Sequence, residues 1–68
     1  MDIVKKFGLK VKMVRLSKRM SQGNLAKKLG VGPSYISQIE RGLQNVSLKV
    51  IEKIAKALDI KPEVLLKS

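Results

Sequence analysis

The chain predicts an all-α fold of five short helices in one domain, residues 1–68, and three observations carry that reading. Apolar residues recur every three or four positions along most of the chain, the period of a half-buried helix. No stretch shows the two-residue alternation of a strand. Gly30, Pro33, Gly42 and Pro62 stand between the periodic stretches, where helices end and begin. The expected helices cover about 2–19, 21–29, 33–41, 47–58 and 62–66.

The first helix opens on Asp2 as its N-cap. Ile3, Phe7, Val11 and Val14 form an inward stripe. Leu9, Met13 and Leu16 form a second stripe on nearly the opposite face, directed at the C-terminal part of the chain or at a partner subunit. Gly8 lies within the helix, where it costs roughly 1 kcal/mol against Ala unless it permits a close backbone approach. Seven basic residues (5, 6, 10, 12, 15, 18 and 19) face one acid, Asp2, so this helix carries +6 of the net charge of +10.

Ser21 caps the second helix, Asn24 takes the partner position of a capping box, and Met20 stands where a hydrophobic staple would. Leu25 and Leu29 face inward, and small Ala26 lets a neighbour come close. Lys27 and Lys28 lie in the last turn, where the helix dipole favours cations. Gly30 ends the helix. The third helix starts at Pro33, turns Ile36 and Ile39 inward, and stops before Gly42. Two short helices joined by so tight a turn describe a helix-turn-helix, whose second helix usually enters the DNA major groove. The outward positions of that helix are Pro33, Ser34, Tyr35, Ser37 and Gln38, with no charge before Glu40 and Arg41. Neutral hydrogen-bonding side chains suit base edges, where donors must meet acceptors.

Ser47 caps the fourth helix, with Ile51, Ile54, Ala55 and Leu58 as its stripe and Val50 and Ala57 widening it. Asp59 stands where a terminating Gly is expected. Pro62 starts the fifth helix. Val64, Leu65 and Leu66 are adjacent and cannot all point inward, so at least one is a candidate subunit contact.

Composition narrows the function. There is no Cys and no His, which leaves no disulfide, no usual zinc site and no histidine base. Five acids without a glycine-rich phosphate loop offer no catalytic constellation, and neither a cofactor nor a metal is expected. Lysines break the N-terminal apolar residues, so neither a signal peptide nor a membrane span is expected, and the cytoplasm is the expected compartment. A small, strongly basic domain points to a polyanion. With only Phe7 and Tyr35 as aromatics, single-stranded RNA is a poor candidate.

The chain closely resembles the Cro/repressor-like (Xre) helix-turn-helix family. The resemblance rests on M-S-Q-x-x-L-A-K-K-L-G-V at 20–31, Y-I-S-Q-I-E-R-G at 35–42 and S-L-x-x-I-x-K-I-A-K-A-L at 47–58. Within the family it is similar to the controller proteins of restriction–modification systems, short regulators of their own operon. The resemblance implies a five-helix domain that binds a palindromic double-stranded operator as a homodimer. It matches Ser34, Tyr35, Ser37 and Gln38 to the base-reading face. It matches Ser21, Gln22, Arg41, Asn45 and Lys49 to positions lying against the phosphate backbone. Arg15 and Glu40 match a buried structural salt bridge. Dimer contacts are expected from the fourth and fifth helices, with Val50, Ile54, Ala57, Val64, Leu65 and Leu66 as candidates. Controllers often carry Arg at the positions of Pro33 and Gln44, so the operator does not transfer. Regulation is expected to work by excluding or recruiting RNA polymerase. The alternative is an antitoxin or adaptor using this fold mainly to hold a protein partner.

Overall fold

The computed structural model describes residues 2–67. Among them are five helices and no strand: α1 (Ile3–Ser17), α2 (Gln22–Leu29), α3 (Pro33–Glu40), α4 (Leu48–Ala57) and α5 (Pro62–Leu66). Each helix lies where the periodicity places it. The second, third and fourth are a residue or two shorter than expected, because Ser21, Arg41, Ser47 and Leu58 are capping residues rather than helical ones. The N-caps form as the sequence suggests. Asp2 Oδ1 accepts from the Val4 amide at 2.9 Å, and Ser47 Oγ accepts from Val50 at 3.2 Å. Ser21 and Asn24 close a full capping box, 2.9 Å one way and 3.1 Å the other.

One turn geometry ends each of the first four helices. A left-handed residue follows the helix: Arg19 (φ 57), Gly30 (φ 71), Gly42 (φ 74) and Asp59 (φ 58). The next residue donates its amide five positions back: Met20 to Arg15, Val31 to Ala26, Leu43 to Gln38 and Ile60 to Ala55, at 2.9–3.1 Å. The left-handed residue itself donates three positions back, which completes a Schellman motif in every case. The residue after the left-handed one is apolar each time, as that motif favours, and Met20 and Ile60 pack against the core. This turn shortens α1: the expected helix to residue 19 stops at Ser17, with Lys18 as its cap.

All five helices contribute to the core: Phe7, Val11, Leu25, Ala26, Ile36, Ile39, Ile51, Ile54, Ala55 and Leu65, joined by Leu58 just beyond α4. α3 packs on both α1 and α2, α4 on α2 and α5, and α5 also on α1. Burial of an aliphatic side chain of this size contributes roughly 1.5–3 kcal/mol. Gly8 sits at the crossing of α1 and α3. A Cβ there would overlap the carbonyl oxygen of Ile39 and lie 2.9 Å from that of Glu40. The close-approach reading of Gly8 therefore holds.

Three apolar residues fall differently from expectation. Ile3 is 75% exposed, at the N-terminal end of α1, where it lines open grooves toward Leu66 and Leu48 instead of packing into the core. Ile54 and Leu65, offered as dimer contacts, are core residues at 0% and 2% exposure and have no surface to give a second subunit. Among the other candidates, Val50 and Ala57 are half-buried and Val64 and Leu66 exposed.

Candidate nucleic-acid interface

The site is built around how α3 is held. Its inward side is fixed by Ile36, Ile39 and the backbone contact at Gly8. At its last helical position Glu40 is buried and paired with buried Arg15 of α1. The pair is bidentate: Arg15 Nε donates to Glu40 Oε2 at 2.6 Å and an η-nitrogen donates to Oε1 at 3.0 Å. The other η-nitrogen donates to the Met20 carbonyl at 2.7 Å. Gln22, the first residue of α2, donates Nε2 to Glu40 Oε1 at 3.0 Å. Two side chains from α1 and α2 thus converge on one carboxylate of α3. Among the described residues, no buried side-chain nitrogen or oxygen lacks a partner. The structural pairing of Arg15 and Glu40 is as expected; the Gln22 arm was not. Because Glu40 neutralises it, Arg15 drops out of the surface charge of α1. Lys5, Lys6, Lys12, Lys18 and Arg19 remain exposed there.

The outward face of α3 presents Pro33, Ser34 and Gln38 fully and Ser37 in part. Tyr35 is half-buried and leans on the core, so only part of it belongs to this face. Pro33 is the first helical residue, after Gly32, which makes no side-chain cap. Its missing amide costs no hydrogen bond there. Gln38 is not free: Gln44 Nε2 donates to its Oε1 at 2.8 Å. In the sequence Gln44 stands out only as a departure from the controllers. The signal that brings it near Gln38 is Gly42, which ends α3 and turns the chain back.

The residues matched to phosphate positions lie at the start of α2, at the end of α3, in the loop after it and in the first turn of α4. Ser21 Oγ accepts from the Asn24 amide as the cap of α2, which leaves its hydroxyl proton to donate. The backbone amides of Gln22 and Gly23 open α2, where the first orphan N–H groups and the dipole favour an anion. Arg41 is the exposed C-cap of α3, Asn45 is exposed in the following loop, and Lys49 is exposed in the first turn of α4. The outward face of α3 is thus neutral and carries both donors and acceptors, with the cation Arg41 at its C-terminal end. In protein–DNA recognition generally, phosphate contacts position and base edges specify. No group of His, Cys, Asp and Glu able to hold a metal occurs among the described residues, and no helix is long and apolar enough to cross a membrane.

Comparison with known proteins agrees with this geometry. A helix-turn-helix family model matches residues 11–65. The control protein C.BamHI of Bacillus amyloliquefaciens is 56% identical over 61 residues, 88% of this chain and 75% of that protein. The transcriptional regulator SinR of Bacillus subtilis is 43% identical over 60 residues, 87% of this chain and 54% of SinR. The crystal structure of the restriction–modification controller C.AhdI from Aeromonas hydrophila superposes with a TM-score of 0.87 at 45% identity, covering 91% of this chain and 94% of that one. The controller C.Esp1396I, solved as a tetramer with its 35-base-pair operator, superposes with a TM-score of 0.86 at 35% identity, covering 96% and 86%. These relatives are regulators and control proteins, not enzymes. On its matched length, its five-helix architecture and the seating of α3, the chain belongs to the Xre-type helix-turn-helix family.

Proposed function

We propose that this chain is a transcription regulator of the controller type, binding a palindromic operator as a homodimer and acting on its own operon in the cytoplasm. The observation that carries this reading is the charge-free outward face of α3, held by the buried Arg15–Glu40 pair and the half-buried Gln22 that joins it. Two such helices related by a two-fold axis would enter successive major grooves about 34 Å apart. Pro33, Ser34, Tyr35, Ser37 and Gln38 select bases; Ser21, Gln22, Arg41, Asn45 and Lys49 contact phosphates. The exposed lysines provide most of the affinity through counterion release. Half-buried Val50 and Ala57 with exposed Val64 and Leu66 offer the second subunit an apolar surface on α4 and α5. Bound near a promoter, the dimer excludes RNA polymerase or contacts it.

The test is selection from a random duplex pool, followed by a search upstream of the protein's own gene. Enrichment of a palindrome that recurs there is the expected result. Enrichment no better than non-specific binding refutes specific regulation. One observation favours a second reading: Leu9, Met13 and Leu16 are 48%, 64% and 55% exposed, a stripe suited to a protein partner. An antitoxin or adaptor would purify in a tight heteromeric complex and bind DNA weakly alone.

A further inference from the structure

We propose that Gln44 is a positioning residue that determines which base Gln38 selects. The proposal rests on the assignment of Gln38 to base edges made above.

A carboxamide carries an acceptor on one branch and two donors on the other. A free glutamine recognises adenine by using both branches: its oxygen accepts from N6 and its nitrogen donates to N7. Both branches must then face the same base edge. Here the Gln38 oxygen accepts from Gln44 Nε2 at 2.8 Å, which occupies one of its two lone pairs. The other lone pair and both Nε2 protons stay available to a base. The bond therefore leaves what Gln38 can donate and accept unchanged and fixes the direction in which its amide is held, and with it the base edge that both branches can meet.

Gln44 is well placed to impose this. Leu43 donates its amide to the Gln38 carbonyl at 2.9 Å, which closes the turn over the last residues of α3. Gly42 takes φ 74, and a Cβ there would lie 3.0 Å from the Lys5 Cα. The turn is thus wedged against α1, and Gln44 leaves it as a half-buried residue, while Gln38 is exposed. Neither side chain belongs to the core, so removing either leaves the fold in place.

Four proteins test the inference: the unaltered chain, Gln38→Ala, Gln44→Ala and the double variant. Each is checked for an unchanged melting curve and then used to select from a random duplex pool. Gln38→Ala should erase preference at one base pair of each half-site. Gln44→Ala should loosen or change the preference at that same base pair, by roughly tenfold in relative affinity. The double variant should match Gln38→Ala. Two results overturn the inference alone: Gln44→Ala leaves that base pair unchanged, or it alters a different base pair and does so without Gln38 as well. In the latter case Gln44 reads a base itself. If Gln38→Ala changes no position, the base-reading assignment fails, and this inference fails with it.

Discussion

Replacing Glu40 with Ala should bring the domain close to unfolding. The change leaves the Arg15 guanidinium buried, with Nε and one η-nitrogen stripped of their acceptors. It also removes the acceptor of Gln22 Nε2. Only the bond from Arg15 to the Met20 carbonyl survives. Breaking one side of a buried pair costs about 3–5 kcal/mol, because a desolvated charge is left without compensation. Globular domains are stable by roughly 0.05–0.15 kcal/mol per residue, or about 3–10 kcal/mol for a chain of this length. The loss is thus between a third and all of the total. Urea titration followed by circular dichroism, at one fixed protein concentration, measures it. The companion experiment is a cycle of Arg15→Met, Glu40→Leu and the two together. Without a stranded charge, the double variant should lie within about 2 kcal/mol of the original. The coupling energy of the cycle should then exceed about 2 kcal/mol. A loss below about 1 kcal/mol for Glu40→Ala, or strict additivity of the two single variants, would falsify the account of how α3 is held.

Gly8→Ala should destabilise by about 1–2 kcal/mol despite the better helix propensity of Ala, because the atoms it meets are α3 backbone and cannot rotate away; a rise in the urea midpoint would refute the close contact. Asp59→Gly should stabilise by about 0.5–1 kcal/mol by relieving a left-handed non-glycine turn, read as a melting temperature several degrees higher; no rise means that Asp59 is unstrained. Lys49→Ala should weaken binding to every duplex alike and flatten the salt dependence by about one unit of slope, measured by titration across salt concentrations; an effect confined to particular sequences would place Lys49 among the base-reading residues instead.

The helices were legible because each apolar stripe is periodic and most ends carry a capping residue or a glycine. Arg19 and Asp59 were harder, since each takes a conformation that glycine usually marks. Periodicity alone also failed at Ile3: it reports which residues share a face, not whether anything covers that face. The same limit explains Ile54 and Leu65. A broad apolar helix face says that some residues are buried and others not; the packing partner decides which. Of the three adjacent residues at the end, α5 turns Leu65 inward and leaves Leu66 out. The pairing of Arg15 with Glu40 came from the family resemblance, since nothing local connects positions 25 apart. The bonds from Gln22 to Glu40 and from Gln44 to Gln38 could not be anticipated. Each depends on the angle at which two helices cross or a turn returns, and amide side chains carry no pattern that announces a partner.

The way α3 is seated has an evolutionary consequence. Ile36, Ile39 and Glu40 hold the helix, and the backbone at Gly8 holds it too; Ser34, Ser37 and Gln38 contribute no buried apolar contact to that seating. Tyr35 alone serves both sides. On the base-reading assignment proposed above, target preference and folding free energy would reside in nearly separate sets of residues. A lineage of such proteins could then exchange one operator for another through substitutions at Ser34, Ser37 and Gln38 without crossing a valley of unfolded intermediates. Diversification would be slowest at Tyr35, where a new preference must also refill the space the ring occupies.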